Sequence, residues 1–205
     1  MPRTHLIVVR HGESAWNVEG RYQGQLDSAL TDNGLRQSRE LAARLAREKL
    51  SALHSSDLGR AMQTAEIIAK YTSLAIVTCS GLRERHLGIF QGLLKREIQQ
   101  RFPDEYRSFK GTDPDYVIRE GESAAQAATR IISALESIAQ QHAGQRIVVV
   151  THGGVASALV RHTLGIPLGA PRRFERPNAS YNAFWYEDGK WFLETWGDVS
   201  HLVKE

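Results

Sequence analysis

Residues 4–12, THLIVVRHG, and residues 146–153, RIVVVTHG, decide how this chain is read. Each is a short run of β-branched and leucine residues bounded by polar ones, the pattern of a strand buried on both faces of a parallel sheet. Each run then stops at a histidine followed by a glycine, His11 with Gly12 and His152 with Gly153. Ligands of open parallel sheets bind beyond the carboxyl ends of the strands, so both histidines fall where a site is expected. If the two strands are adjacent and parallel, the two imidazoles face each other across one crevice.

Outward from these runs the pattern alternates. Leu35 to Leu50 places Leu35, Leu41, Ala42 and Leu45 at helical spacing, with Thr31 or Asp32 available as a cap. LSALHSS is a short strand, DLGRAMQTAEIIAKY a helix with Ala61, Ala65, Ile68 and Ala69 on one side, and LAIVTC a further strand. A long helix is predicted over about 123–141, with Ala124, Ala128, Ile131, Leu135 and Ile138 on one stripe, and another helix from Gly153 to Leu164. SYNAFWYE and KWFLETW flank Asp188-Gly189, the signal of a closing hairpin. Strands alternating with helices give an α/β class: a three-layer α/β/α arrangement around a mostly parallel central sheet. About residues 92–121, polar and broken by Pro103 and Pro114, read as a helical insertion over one end of that sheet.

At 205 residues, with no linker or repeat, one domain over 1–205 is expected. The net charge is +3, but the 26 Lys and Arg are scattered among 23 Asp and Glu, so no basic stripe points to nucleic acid. A mild positive excess suits a small anionic substrate. A lone cysteine, Cys79, excludes an internal disulfide and fits a reducing cytoplasm. Leu6 to Val9 is too short for a signal segment, and no stretch approaches membrane-spanning length, so a membrane partner is not expected. Oligomeric state stays open, with a homodimer possible because dimers are common.

The residues around the two histidines suit an oxyanion. Gly12 and Gly153 let backbone approach a ligand closely, and a helix starting at Gly153 presents amide donors and a positive dipole end. Arg10 and Arg60 add planar fork donors that match phosphoryl oxygens, and Asn17 supplies another hydrogen bond. None of the eight histidines shows HExxH or HxH spacing, so neither a metal nor another cofactor is expected.

At this point the chain resembles the histidine phosphatase superfamily in its phosphoglycerate-mutase-like branch. RHGESAWN resembles the opening motif, RYQGQLDSALTDNGLRQ the following loop and helix start, SSDLGRAMQTA the segment carrying the phosphate arginine, LRERHLGIFQGL the segment carrying the acid glutamate, and VVVTHGG that of the second histidine. The resemblance implies the phosphoglycerate mutase-like fold, with His11 as nucleophile toward a phosphoryl group. It implies further that Arg10, Arg60 and His152 bind that group with Asn17 and Gly153 nearby, and that Glu84 donates a proton to the leaving oxygen. Arg21, Gln23 and Gly24 lie in the matching substrate loop; Arg85 and Lys95 are candidates to meet a second negative group.

Hydrolases and mutases of the branch share this machinery, differing in whether water or a second substrate hydroxyl takes the phosphoryl group. ERHLGIFQGLLK resembles the mutase stretch, with Lys95 where mutases bind a substrate carboxylate or second phosphate, but Leu87 replaces the usual tyrosine. The shorter chain, an insertion with only the loose YRSFKG in place of paired arginines, and the short end SHLVKE lean toward a phosphatase. The first expectation is therefore a metal-independent phosphomonoester hydrolase acting on a small phosphorylated metabolite. A 2,3-bisphosphoglycerate-dependent mutase is the alternative, and an inactive binder of phosphorylated ligands is a third reading.

Overall fold

The computed structural model of the chain describes residues 2–202, so the last three residues of the SHLVKE end lie outside it. In chain order it forms β1 (Thr4–Arg10), α1 (Ala15–Glu19), α2 (Asp32–Leu45), β2 (Ala52–Ser55), α3 (Gly59–Thr72) and β3 (Ile76–Thr78). There follow α4 (Lys95–Arg101), α5 (Pro103–Phe109), α6 (Ala124–Gln141), β4 (Arg146–Thr151), α7 (Gly153–Leu164), β5 (Tyr181–Glu187) and β6 (Lys190–Asp198). The strands make one sheet in the order β3-β2-β4-β1-β5-β6. β1 to β4 run parallel, and only β5 lies antiparallel to its two neighbours, which gives the mostly parallel α/β/α sandwich expected.

The alternation of side chains along a strand builds the two faces. Leu6 and Val8 of β1, with Ile147 and Val149 of β4, point to one side, where Ile131, Leu135 and Ile138 of α6 and Val155 and Leu159 of α7 cover them. Ile7, Val9, Val148 and Val150 point to the other, where Leu41 and Leu45 of α2 and Ala61, Ala65 and Ile68 of α3 pack. Because both faces of the central strands are covered, their sequences read as continuous apolar runs rather than as alternating ones.

Two expectations need correction. The helix predicted from Leu35 to Leu50 runs instead from Asp32 to Leu45, capped by the Thr31 hydroxyl, which accepts the Gly34 amide. Leu35 is only partly buried, and the face expected of it belongs to Gly34 and Ser38. The reason is a close backbone approach: a Cβ on Gly34 would stand 1.9 Å from the Glu13 carbonyl, so α2 can lie against the loop after β1 only with glycine there.

The hairpin forms where Asp188-Gly189 predicts it, both residues taking positive φ (48° and 76°) as a two-residue turn of this twist requires. The insertion holds α4 and α5 and has a small core of its own, in which Phe90, Ile98, Tyr106 and Ile118 are buried. Among the described residues, no helix is long and apolar enough to cross a membrane.

Candidate active site

The register of the sheet brings the two histidines together. Arg10 pairs with Thr151 at the ends of β1 and β4, and the His11 amide donates to the Thr151 carbonyl at 2.9 Å, carrying the ladder one residue further. His11 and His152 therefore leave the sheet side by side, with ring centroids 5.3 Å apart. β2 ends on the other flank of β4, and Ser56, just beyond it, lies 2.8 Å through its hydroxyl from His152 Nε2.

The hydrogen bonds of His11 define its chemistry. Nδ1 lies 2.7 Å from the Gly12 carbonyl, which can only accept, so Nδ1 carries the proton. Nε2 is left with its lone pair, toward which Arg60 Nε donates at 3.3 Å. Burial first, then the charges of Arg10 and Arg60, hold the imidazole well below its ordinary pKa of 6.5 and keep it neutral. His152 is lowered for the same leading reason, with Arg60 and His11 next, and its buried Nδ1 has no hydrogen-bond partner among the described residues. A neutral nitrogen base beside two guanidinium groups, backed by a second imidazole, can attack an electron-poor centre that carries negative oxygens.

Arg60 is 1% exposed although it bears a charge, and the loop from Gly24 to Asp27 makes that tenable. Its NH1 donates to the Leu26 carbonyl and to Asp27 Oδ1, both at 2.8 Å, and its NH2 to the Gly24 carbonyl at 2.8 Å. Asp27 also accepts the Gly59 amide at 2.6 Å, so one carboxylate fixes both the start of α3 and the arginine in its first turn. Arg10 donates through NH1 to the Arg176 carbonyl, while its buried Nε has no acceptor among the described residues. Burial, then the neighbouring Arg176 charge, pushes Arg10 down to about 10, still protonated at neutral pH.

Glu84 closes the site from the loop after β3. Its Oε2 accepts the Gly154 amide at 2.8 Å and its Oε1 the Arg85 amide at 2.9 Å. The amide of Gly154, in the first turn of α7, is thus taken by a protein carboxylate, whereas the sequence pointed to a ligand anion at this helix end. These groups border a cavity of about 380 Å³. Arg10, His11, Asn17, Arg21, Gln23, Gly24, Arg60, Glu84, Arg85 and Gly153 all line it, and His152 stands behind His11, fully buried.

Within this lining the predicted residues differ in what they can offer. Asn17 Oδ1 accepts from the Ser14 amide and from Asn178 Nδ2, which leaves its own amide nitrogen for the cavity. Gln23 is tied to Ser14 at 2.9 Å, and Gly24, at φ 55°, passes so close to Gln91 that a Cβ would lie 2.3 Å from its Oε1. Arg21 is committed at the rim, to Glu19 and to the Gly92 carbonyl.

Lys95 is not brought to the cavity. The Leu94 amide donates to Glu97 at 2.6 Å, α4 begins at Lys95, and that side chain stands exposed outside the lining. Arg176 and Asn178, which border the site from the segment before β5, were not singled out from sequence. No local motif marks them; they reach the site because β5 pairs with β1, a long-range pairing. Among the described residues, no group of three or more His, Cys, Asp or Glu side chains could hold a metal ion.

Comparison with known proteins gives the family of the chain. Phosphoglycerate mutase-like protein 4 of Arabidopsis thaliana is 45% identical over 202 residues, covering 96% of this chain and 86% of that protein. The metal-independent phosphoserine phosphatase of the same plant is 42% identical over 203 residues, covering 97% and 83%. Among solved structures, Bacillus stearothermophilus YhfR superposes with a TM-score of 0.89 at 34% identity, covering 97% of this chain and 98% of that one. Residues 6–199 match the family model described as histidine phosphatase superfamily, branch 1, and the chain belongs to that superfamily.

Proposed function

We propose that the chain is a phosphomonoester hydrolase that acts on a small phosphorylated metabolite through a phosphohistidine at His11. The observation that carries this reading is the fixed tautomer of His11, whose Nδ1 proton is held by the Gly12 carbonyl while Nε2 keeps its lone pair beside Arg60. In the first half-reaction Nε2 attacks phosphorus in line. The P–N bond forms, the P–O ester bond breaks, and the leaving oxygen takes a proton from the Glu84 carboxyl. Arg10, Arg60, Asn17 and His152 hold the non-bridging oxygens, where charge stabilisation of the transferring phosphoryl group adds to the covalent help given by His11. In the second half-reaction Glu84, now ionised, takes a proton from water as that water attacks phosphorus and the P–N bond breaks, releasing inorganic phosphate and restoring His11.

Water is favoured over a second substrate as acceptor because Lys95, the residue suited to hold a second substrate anion, stands in solvent. In addition, Leu87 presents an apolar side chain to the cavity. The test is a panel of phosphomonoesters that includes phosphoserine and 3-phosphoglycerate, followed for phosphate release and for isomer formation with and without 2,3-bisphosphoglycerate. Phosphate release with an acid-labile phosphoenzyme that His11→Ala abolishes is the expected result. Rapid isomerisation with negligible phosphate release overturns the hydrolase reading.

A further inference from the structure

Six arginines line the cavity, and five of them give guanidinium hydrogens to protein oxygens. Arg10 donates to the Arg176 carbonyl, Arg21 to Glu19, Arg60 to Asp27, Arg85 to the Glu122 carbonyl, and Arg161 to the carbonyls of Pro167 and Ala170. Arg176 differs: among the described residues its guanidinium has no hydrogen-bond or ion-pair partner, although its backbone is held tightly. The Glu175 carbonyl accepts Trp196 Nε1 at 3.1 Å, and the next carbonyl, that of Arg176, accepts Arg10. Arg161, at the end of α7, ties down the same loop further upstream at 2.6 and 2.8 Å. With its main chain clamped on two consecutive carbonyls, the side chain crosses Gly153, where a Cβ would lie 3.6 Å from Arg176 Cδ.

We propose that Arg176 is a specificity residue that binds a carboxylate on the leaving group, so that the preferred substrates are small phosphomonoesters with a carboxylate on a short carbon skeleton. This rests on the hydrolase reading above for the identity of the phosphoryl site. The cavity is at the small end of ligand sites, and its remaining wall is apolar, with Ala124, Ala128, Ile131 and Leu168. A short skeleton fits between that wall and the charged groups. A single guanidinium presents two parallel donors that match one planar carboxylate, whereas a second phosphate dianion calls for several cations. Arg21 and Arg60 are already paired with carboxylates, and Arg10, Arg85 and Arg161 spend guanidinium hydrogens on main-chain carbonyls, so among the described residues Arg176 is the cavity arginine whose guanidinium donors are uncommitted.

Equilibrium binding tests this independently of turnover. In a His11→Ala background, calorimetry measures the dissociation constants of O-phosphoserine, of O-phosphoethanolamine, which lacks only the carboxylate, and of orthophosphate. The parent is expected to prefer phosphoserine to phosphoethanolamine by roughly tenfold or more, as one charge-assisted pair provides. Adding Arg176→Met is expected to bring that ratio toward one, and Arg176→Lys to retain part of it. Absence of a preference in the parent, a ratio that survives Arg176→Met, or equal weakening of all three ligands including orthophosphate overturns the proposal. A chain that shows the preference yet releases no phosphate from any ester sinks the hydrolase reading and leaves this assignment standing.

Discussion

Substituting Gly154 by alanine separates the position of Glu84 from the stability of the fold. A Cβ at Gly154 would lie 1.9 Å from Glu84 Oε1 and 2.7 Å from its Cδ. Ordinary contact begins near 3.4 Å, so the carboxyl must retreat by 3.4 − 1.9, about 1.5 Å. Glu84 is the far end of a side chain and can swing away, and Gly154 has ordinary helical φ, so the backbone tolerates alanine. Alanine in a helix is favoured over glycine by about 0.5–1 kcal/mol, so the melting temperature is expected to hold or rise. Activity is expected to move the other way. A misplacement of about 1 Å can cost on the order of 100-fold, within the range that general acid catalysis contributes.

The loss should depend on the leaving group. On the proposed mechanism an alkyl phosphate needs the proton from Glu84, whereas nitrophenolate leaves without one. Rapid-quench measurement of phosphoenzyme formation should therefore show roughly 100-fold slowing with phosphoserine and much less with p-nitrophenyl phosphate. A folded Gly154→Ala protein that forms phosphoenzyme from phosphoserine at the parent rate, or that loses both substrates equally, refutes Glu84 as the acid.

Asp27→Ala removes the acceptor shared by Arg60 and the Gly59 amide; because Asp27 is 38% exposed the ion pair is discounted, and a loss of about 1–2 kcal/mol by urea unfolding is expected, with weaker inhibition by orthophosphate. Unchanged inhibition would show that the Asp27 contact does not position Arg60 for an anion. Acid should weaken the fold through His11 and His152, whose folded pKa values lie below the ordinary 6.5. Below pH 6.5 the unfolded chain takes up protons that the folded chain refuses, so stability is fully present above that value and falls as pH drops, by on the order of 1 kcal/mol per histidine for each pH unit below it. A urea midpoint that stays level between pH 7.5 and 5.5 contradicts neutral buried imidazoles. The same neutrality predicts that phosphoenzyme formation keeps its nucleophile below pH 6.5, with the His11 limb of the pH profile displaced to acid.

The sheet was legible because β1 and β4 are buried on both faces, which stamps continuous apolar runs onto the sequence. The α6 stripe was legible for the complementary reason, since one of its faces meets the sheet while Ala124 and Ala128 turn toward the cavity. The end of α2 was not legible: Leu50 still packs against the core after the helix has ended, so apolar spacing continued past the hydrogen bonds. Gly34 and Ser38 misled in the opposite sense, because the face they occupy meets backbone rather than hydrocarbon.

In the site, the residues found from sequence sit within a few positions of a strand end or helix start, where local pattern fixes direction. His11, His152 and Arg60 are of that kind. Lys95 was misplaced because neighbourhood along the chain does not fix which way a side chain points once a helix begins, and Glu97 sets that beginning at Leu94. Arg176 was missed because its place depends on β5 lying beside β1, a pairing whose partners are separated by most of the chain. The same division applies to function. On the proposed mechanism the nucleophile and its oxyanion donors come from the ends of β1 and β4 and the start of α3, whereas the groups proposed to select the leaving group lie on segments placed by tertiary contacts, the insertion on one side and the loop before β5 on the other. The proposed determinants of substrate choice thus lie where sequence pattern is weakest, and Arg176, held through its carbonyl by Arg10, would tie that choice to an arginine beside His11.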